Sequence, residues 1–117
     1  MRKTIVAGNW KMNGTSRSIQ DLLEKLVVGA EVAEGLVTLV CPPSLYLYQV
    51  KQQIGVSAIA VGAQNVSAYG EGAYTGEISL KMLQDVGCEY VILGHSERRS
   101  LFAETDAAVA AKFIAAV

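Results

Sequence analysis

The chain has 117 residues, 51% of them hydrophobic and 18% charged, with a formal net charge of −1. That length suits one ordinary domain, and the charge balance offers no electrostatic basis for binding nucleic acid or an anionic membrane. So apolar a composition on so small a molecule predicts that part of its surface is buried against something outside the chain.

The first apolar run is Thr4-Ile5-Val6-Ala7-Gly8, read as a strand. Its four apolar-compatible residues, Ile5 to Gly8, are too few for a signal-peptide core. No run anywhere approaches the ~20 residues that span a bilayer. A soluble, cytoplasmic protein is therefore expected. A helix follows, with Ile19, Leu22, Leu23, Leu26 and Val27 on one stripe, Thr15 or Ser16 as its cap and Gly29 as its stop. The second strand is Val37-Thr38-Leu39-Val40-Cys41, and Pro42-Pro43 then leads into a helix over Ser44 to Gln53 that stops at Gly55. Ala58-Ile59-Ala60-Val61-Gly62 is the third strand, and a helix over Ser79 to Val86 ends at Gly87. Tyr90-Val91-Ile92-Leu93-Gly94 is the fourth strand, with a helical turn over Ser96 to Phe102 behind it. Thr105-Asp106 caps a last helix running through Val109, Phe113, Ile114 and Val117. Cys41 and Cys88 have no metal-ligand spacing and are read as reduced core thiols, with a disulfide as the alternative.

None of the four strands alternates cleanly between apolar and polar, which suits strands covered on both faces of a parallel sheet. The fold class is therefore α/β, four consecutive βα units with right-handed crossovers. Two architectures accommodate them: a small doubly wound sheet, or half of a (β/α)8 barrel, whose usual length is ~250 residues.

In both architectures chemistry sits beyond the carboxyl ends of the strands. Those positions hold Asn9-Trp10-Lys11-Met12-Asn13-Gly14, the long segment from Ala63 to Glu77, and His95-Ser96-Glu97-Arg98-Arg99. Polar groups remote in sequence thus share one rim. Lys11 reads either as a fixed cation for an anionic substrate or as a solvated surface lysine. Asn9 reads as a contact to substrate or lysine, or as a turn residue. His95, the only histidine, precedes a helical turn whose partial positive charge disfavours the imidazolium; it is either a neutral hydrogen-bond donor or a structural histidine. Ser96 reads as a cap, and Glu97, Arg98 and Arg99 as an ion-pair face. The segment after the third strand is longer than the ~2–6 residues usual for such loops and lacks both the P-loop and Rossmann glycine patterns, so partner contact is its better reading.

Four stretches, AGNWKMNG (7–14), AQN (63–65), YTGE (74–77) and GHSERR (94–99), together resemble the triosephosphate isomerase family, in order and spacing, over the whole chain. The resemblance implies the N-terminal half of a TIM-barrel domain over residues 1–117. It also implies interconversion of dihydroxyacetone phosphate and D-glyceraldehyde 3-phosphate, in glycolysis and gluconeogenesis, without cofactor or metal. That family is itself the standard worked case of a glutamate base paired with a neutral histidine electrophile. Lys11 would stabilise the anionic substrate and enediolate, His95 would be the electrophile, and Asn9 would join the substrate-binding set. Ser96 and Glu97 would support them, Glu97 by pairing with Lys11. Thr75 would reach into a partner subunit's site, with Glu77 and Arg98 supporting that interface in a homodimer.

The family's general base and phosphate-binding glycine loops lie in its second half, outside this chain. Losing a general acid or base alone costs ~10²–10⁴-fold in rate. Glu97 is committed to the lysine, and Glu71 and Glu77 sit on the interface loop. The isolated chain is therefore expected to be inactive alone. Four strands also leave open edges, which a second copy in an eight-stranded assembly or a complementing second-half chain would close.

Overall fold

The computed structural model describes residues 2–30 and 35–117. The elements run β1 (Thr4–Asn9), α1 (Ser16–Gly29), β2 (Leu36–Cys41), a 3-10 turn (Ser44–Tyr46) leading into α2 (Leu47–Ile54), β3 (Ile59–Ala63), α3 (Leu80–Asp85), β4 (Tyr90–Val91), α4 (Ser96–Leu101) and α5 (Asp106–Ala116). All strand pairs are parallel, and the sheet order is β1-β2-β3-β4. A doubly wound sheet reverses its strand order at a switch point; this one does not, and it forms a curled half of a (β/α)8 barrel.

Register decides what each face carries. Val40 stands opposite Val61, and both belong to the core between sheet and helices, with Ile19 and Leu23 of α1, Val50 and Ile54 of α2, and Leu83 of α3. Side chains alternate along a strand, so Leu39 and Cys41 take the other, concave face. Asn9 is paired with Cys41 and shares that face, which is how β1 delivers a polar side chain to the barrel mouth. Gly62 also lies there. A Cβ at this position would stand 2.7 Å from Cys41 Sγ and 2.9 Å from Leu39 Cδ1, so only glycine lets the concave layer close. Burial, and secondarily the neighbouring Cys88, pushes the Cys41 thiol up to about 11; both cysteines are free.

Several boundaries differ from the sequence expectation, each for a local reason. Thr15, not Ser16, caps α1: its hydroxyl accepts the Ser18 N–H while Ser18 Oγ accepts the Thr15 N–H. Gly29 does not stop α1; it is its last helical residue. The helix expected over Ser44 to Gln53 opens as the 3-10 turn and becomes α-helical only from Leu47. β3 begins at Ile59 because the Ile59 N–H is held by Ser57 Oγ, and it extends to Ala63. β4 is two residues long, since β3 ends at Ala63 and Gly94 turns the chain at φ 66°. In α5 the apolar residues do not mark the buried face: Phe113 and Ile114 are 58% and 73% exposed, and Lys112 is buried.

β1 pairs only with β2, and β4 only with β3, so among the described residues the two outer edges are open. Ile5 and Val6 on β1 are correspondingly more than half exposed. No helix of the described residues is long and apolar enough to cross a membrane.

Candidate active site

Beyond β1 the chain must turn sharply, and the turn strains a non-glycine residue. Lys11 has φ 55°, in the left-handed region, which costs about 1–3 kcal/mol unless its surroundings hold it. Three hydrogen bonds do so. Asn9 Oδ1 accepts the Lys11 N–H at 2.9 Å, and Gln64 Nε2 donates to the Lys11 carbonyl at 2.8 Å and to the Cys41 carbonyl at 2.8 Å. Gln64 thus fastens Lys11 to the end of β2. The side chain is held as well: Lys11 Nζ is 2.6 Å from Glu97 Oε1, and that hydrogen bond keeps the Glu97 carboxyl below the usual range.

Glu97 arrives from α4, and His95 is the N-cap of that helix. This corrects the reading of Ser96 as the cap; Ser96 is the first helical residue, and its carbonyl accepts the Ser100 hydroxyl. The imidazole Nδ1 accepts the Glu97 N–H at 3.1 Å. A nitrogen that accepts a backbone N–H carries no proton, so the ring is neutral with its hydrogen on Nε2. Asn9, Lys11, Gln64, His95, Glu97 and Arg98 all line one cleft of about 480 Å³. Strand ends separated by more than eighty residues of sequence therefore meet in one place, as expected for parallel strands.

Its chemical capacity follows. A fixed ammonium and a neutral imidazole N–H facing the same space can bind an anion and share the charge that develops on a polarised carbonyl oxygen. Among the described residues no three His, Cys, Asp or Glu side chains converge as metal ligands would.

The segment after β3 forms another wall of the cleft through Gly76, Glu77 and Ile78, while Thr75 is exposed and does not line it. Tyr69 and Tyr74 stack face to face on this segment, ring centroids 4.2 Å apart.

Sequence reasoning missed a second layer behind the site. The Glu104 side chain is 4% exposed; its Oε2 accepts Arg98 Nε at 2.9 Å and Lys112 Nζ at 2.7 Å. Lys112 Nζ also donates to Asn65 Oδ1 at 2.8 Å. The cluster joins α5 to the two limbs that hold Lys11, the segment carrying Gln64 and the helix carrying Glu97. A lysine in the apolar pattern of α5 was the only signal for it.

Residues 4–117 match the family model described as triosephosphate isomerase. The chain belongs to the triosephosphate isomerase family. The triosephosphate isomerase of Thiobacillus denitrificans is 53% identical over 116 residues, which cover 99% of this chain and 46% of that relative. Those of Marinobacter nauticus and Shewanella loihica are 52% and 47% identical, and this chain covers 44% and 47% of them. The chain thus spans a little under half the length of the triosephosphate isomerases it matches, and corresponds to their N-terminal half.

Proposed function

We propose that this chain supplies the anion-binding and electrophilic side of a triosephosphate isomerase site, acting on dihydroxyacetone phosphate and D-glyceraldehyde 3-phosphate. The observation that carries the reading is the convergence of Lys11 and His95 on one cleft, with the lysine amine held by Glu97 and the imidazole in its Nε2–H form. Lys11 balances the charge of the substrate and of the enediolate. His95 Nε2–H donates to the substrate oxygens, and Asn9 holds the lysine's backbone in place. No cofactor or metal enters the reaction.

Proton abstraction beside the carbonyl needs a free carboxylate. Two glutamates line the cleft: Glu97, which is bound to Lys11, and Glu77, on the segment proposed to meet a partner. The base is therefore proposed to come from the second half of the barrel, and the 117-residue chain alone to be inactive. The Thr75 segment of a second copy is proposed to reach this cleft, in a homodimer whose interface Glu77 and Arg98 support.

A coupled isomerase assay tests this, run on the chain with and without a polypeptide carrying the C-terminal half of a relative. The expected result is turnover only in the mixture, falling by ~10²-fold or more for His95→Gln. Turnover by the chain alone would contradict the division of labour. An unchanged rate for His95→Gln in the mixture would remove the histidine from catalysis.

A further inference from the structure

We infer that Arg99 is a positioning residue for the His95 imidazole. The assignment rests on the proposed role of His95. Sequence alone leaves Arg99 as one more charge on a solvated face. Its guanidinium instead lies across the main chain just before the histidine: Nε donates to the Gly94 carbonyl at 2.9 Å, and Nη1 donates to Asp106 Oδ1 at 2.6 Å. Asp106 is the first residue of α5. One planar fork therefore ties the β4–α4 turn to a separate helix.

The turn needs such a tie. Gly94 adopts φ 66°, and a Cβ there would stand 3.0 Å from both methyls of Val109 and 3.1 Å from Arg99 Nη2. The backbone is thus pressed between α5 and the guanidinium. The Gly94–His95 peptide sets the origin of the His95 side chain. The His95 carbonyl accepts the Arg98 and Arg99 N–H groups, and Nδ1 accepts the Glu97 N–H, so the ring's direction depends on this turn staying fixed. Remove the fork and α4 keeps its ties from Arg98 to Glu104 and from Glu97 to Lys11, but neither of these holds the Gly94 carbonyl that precedes the histidine.

Because His95 is the only histidine, the nitrogen resonances of its ring can be read without assignment ambiguity in the labelled chain. Arg99→Met keeps the bulk of the side chain and removes both donations. In its neutral form the ring of the unmodified chain is expected to show a single Nε2–H tautomer with Nδ1 as acceptor. Arg99→Met is expected to show a tautomer mixture, and Glu97 amide exchange faster by about tenfold or more. Should Arg99→Met fail to fold, Arg99→Lys decides: it keeps the charge without the fork, and the same loosening is expected. An unmoved His95 spectrum and unchanged Glu97 exchange in a folded variant overturn the assignment. In the complemented assay kcat should fall with little change in KM; a fall in folded yield alone would mean a merely structural arginine. If the complemented chain shows no turnover while the ring still responds to Arg99, the isomerase reading has failed and the positioning has not.

Discussion

At the scale of single residues, the site depends on backbone strain held by side-chain hydrogen bonds. Lys11 keeps a left-handed φ because Asn9 takes its N–H and Gln64 takes its carbonyl. Gln64→Ala removes one of these holds and leaves the Lys11 carbonyl without its donor, while the Cys41 carbonyl keeps the Trp10 N–H. A neutral hydrogen bond is worth about 1 kcal/mol net and a tenfold rate change about 1.4 kcal/mol, so kcat of the complemented enzyme should drop by roughly fivefold. An unchanged kcat would show that the turn holds itself. The shared position of Asn9, Lys11 and His95 on one cleft was legible in the sequence, since each lies at or beyond the carboxyl end of a strand. Gln64 was not singled out: it acts through the carbonyl of another residue, and no residue pattern shows which carbonyl a side chain will reach.

At the scale of elements, the strands are correct in number and direction but not in extent. Apolar runs report burial, whereas a strand lasts only as long as its neighbour offers a ladder; β4 therefore ends with β3. The concave layer imposes a tighter condition. Gly62→Ala would force a methyl to within 2.7 Å of a sulfur and 2.9 Å of a leucine methyl, both on β2. Overpacking of this kind costs about 1–3 kcal/mol, read as a lower denaturant midpoint with an unchanged slope. No change in midpoint would mean that β2 and β3 can separate locally. Helix α5 carries the opposite lesson. Its extent was read from the sequence but its buried face was not: the carboxylate of Glu104 draws Lys112 in, and Phe113 and Ile114 are left exposed.

At the scale of the whole molecule, that same carboxylate makes stability depend on pH. Burial opposes the ionisation of Glu104, but hydrogen bonds from Lys112 and Arg98 outweigh it, holding the group below its ordinary 4.5. A group depressed on folding stabilises the fold above its unfolded value, and that contribution is lost as pH falls through the folded value. The chain should therefore weaken below about pH 4.5 by linkage at Glu104. Glu104→Gln should be less stable near neutrality by roughly 3 kcal/mol, since it leaves Lys112 and Arg98 without their counter-ion. Its acid limb should also be flatter. Denaturant midpoints across that range decide the point: equal acid slopes in both proteins would place the linkage elsewhere.

Composition and order in the chain determined that this is a parallel α/β molecule of four units, with its polar residues at one end, because short apolar runs and strand-to-helix spacing are local properties. They also carried the family resemblance, since its four motifs are contiguous stretches. The apolar pattern by itself fitted a doubly wound sheet as well as the half-barrel the resemblance implied; the tertiary structure bore out the half-barrel, because strand order is a long-range pairing that no local pattern encodes. It alone decided how the lysine and histidine are held. Gln64, Arg99 and the Glu104 cluster act through partners from 5 to 53 positions away along the chain, and only folding brings those partners within hydrogen-bonding distance.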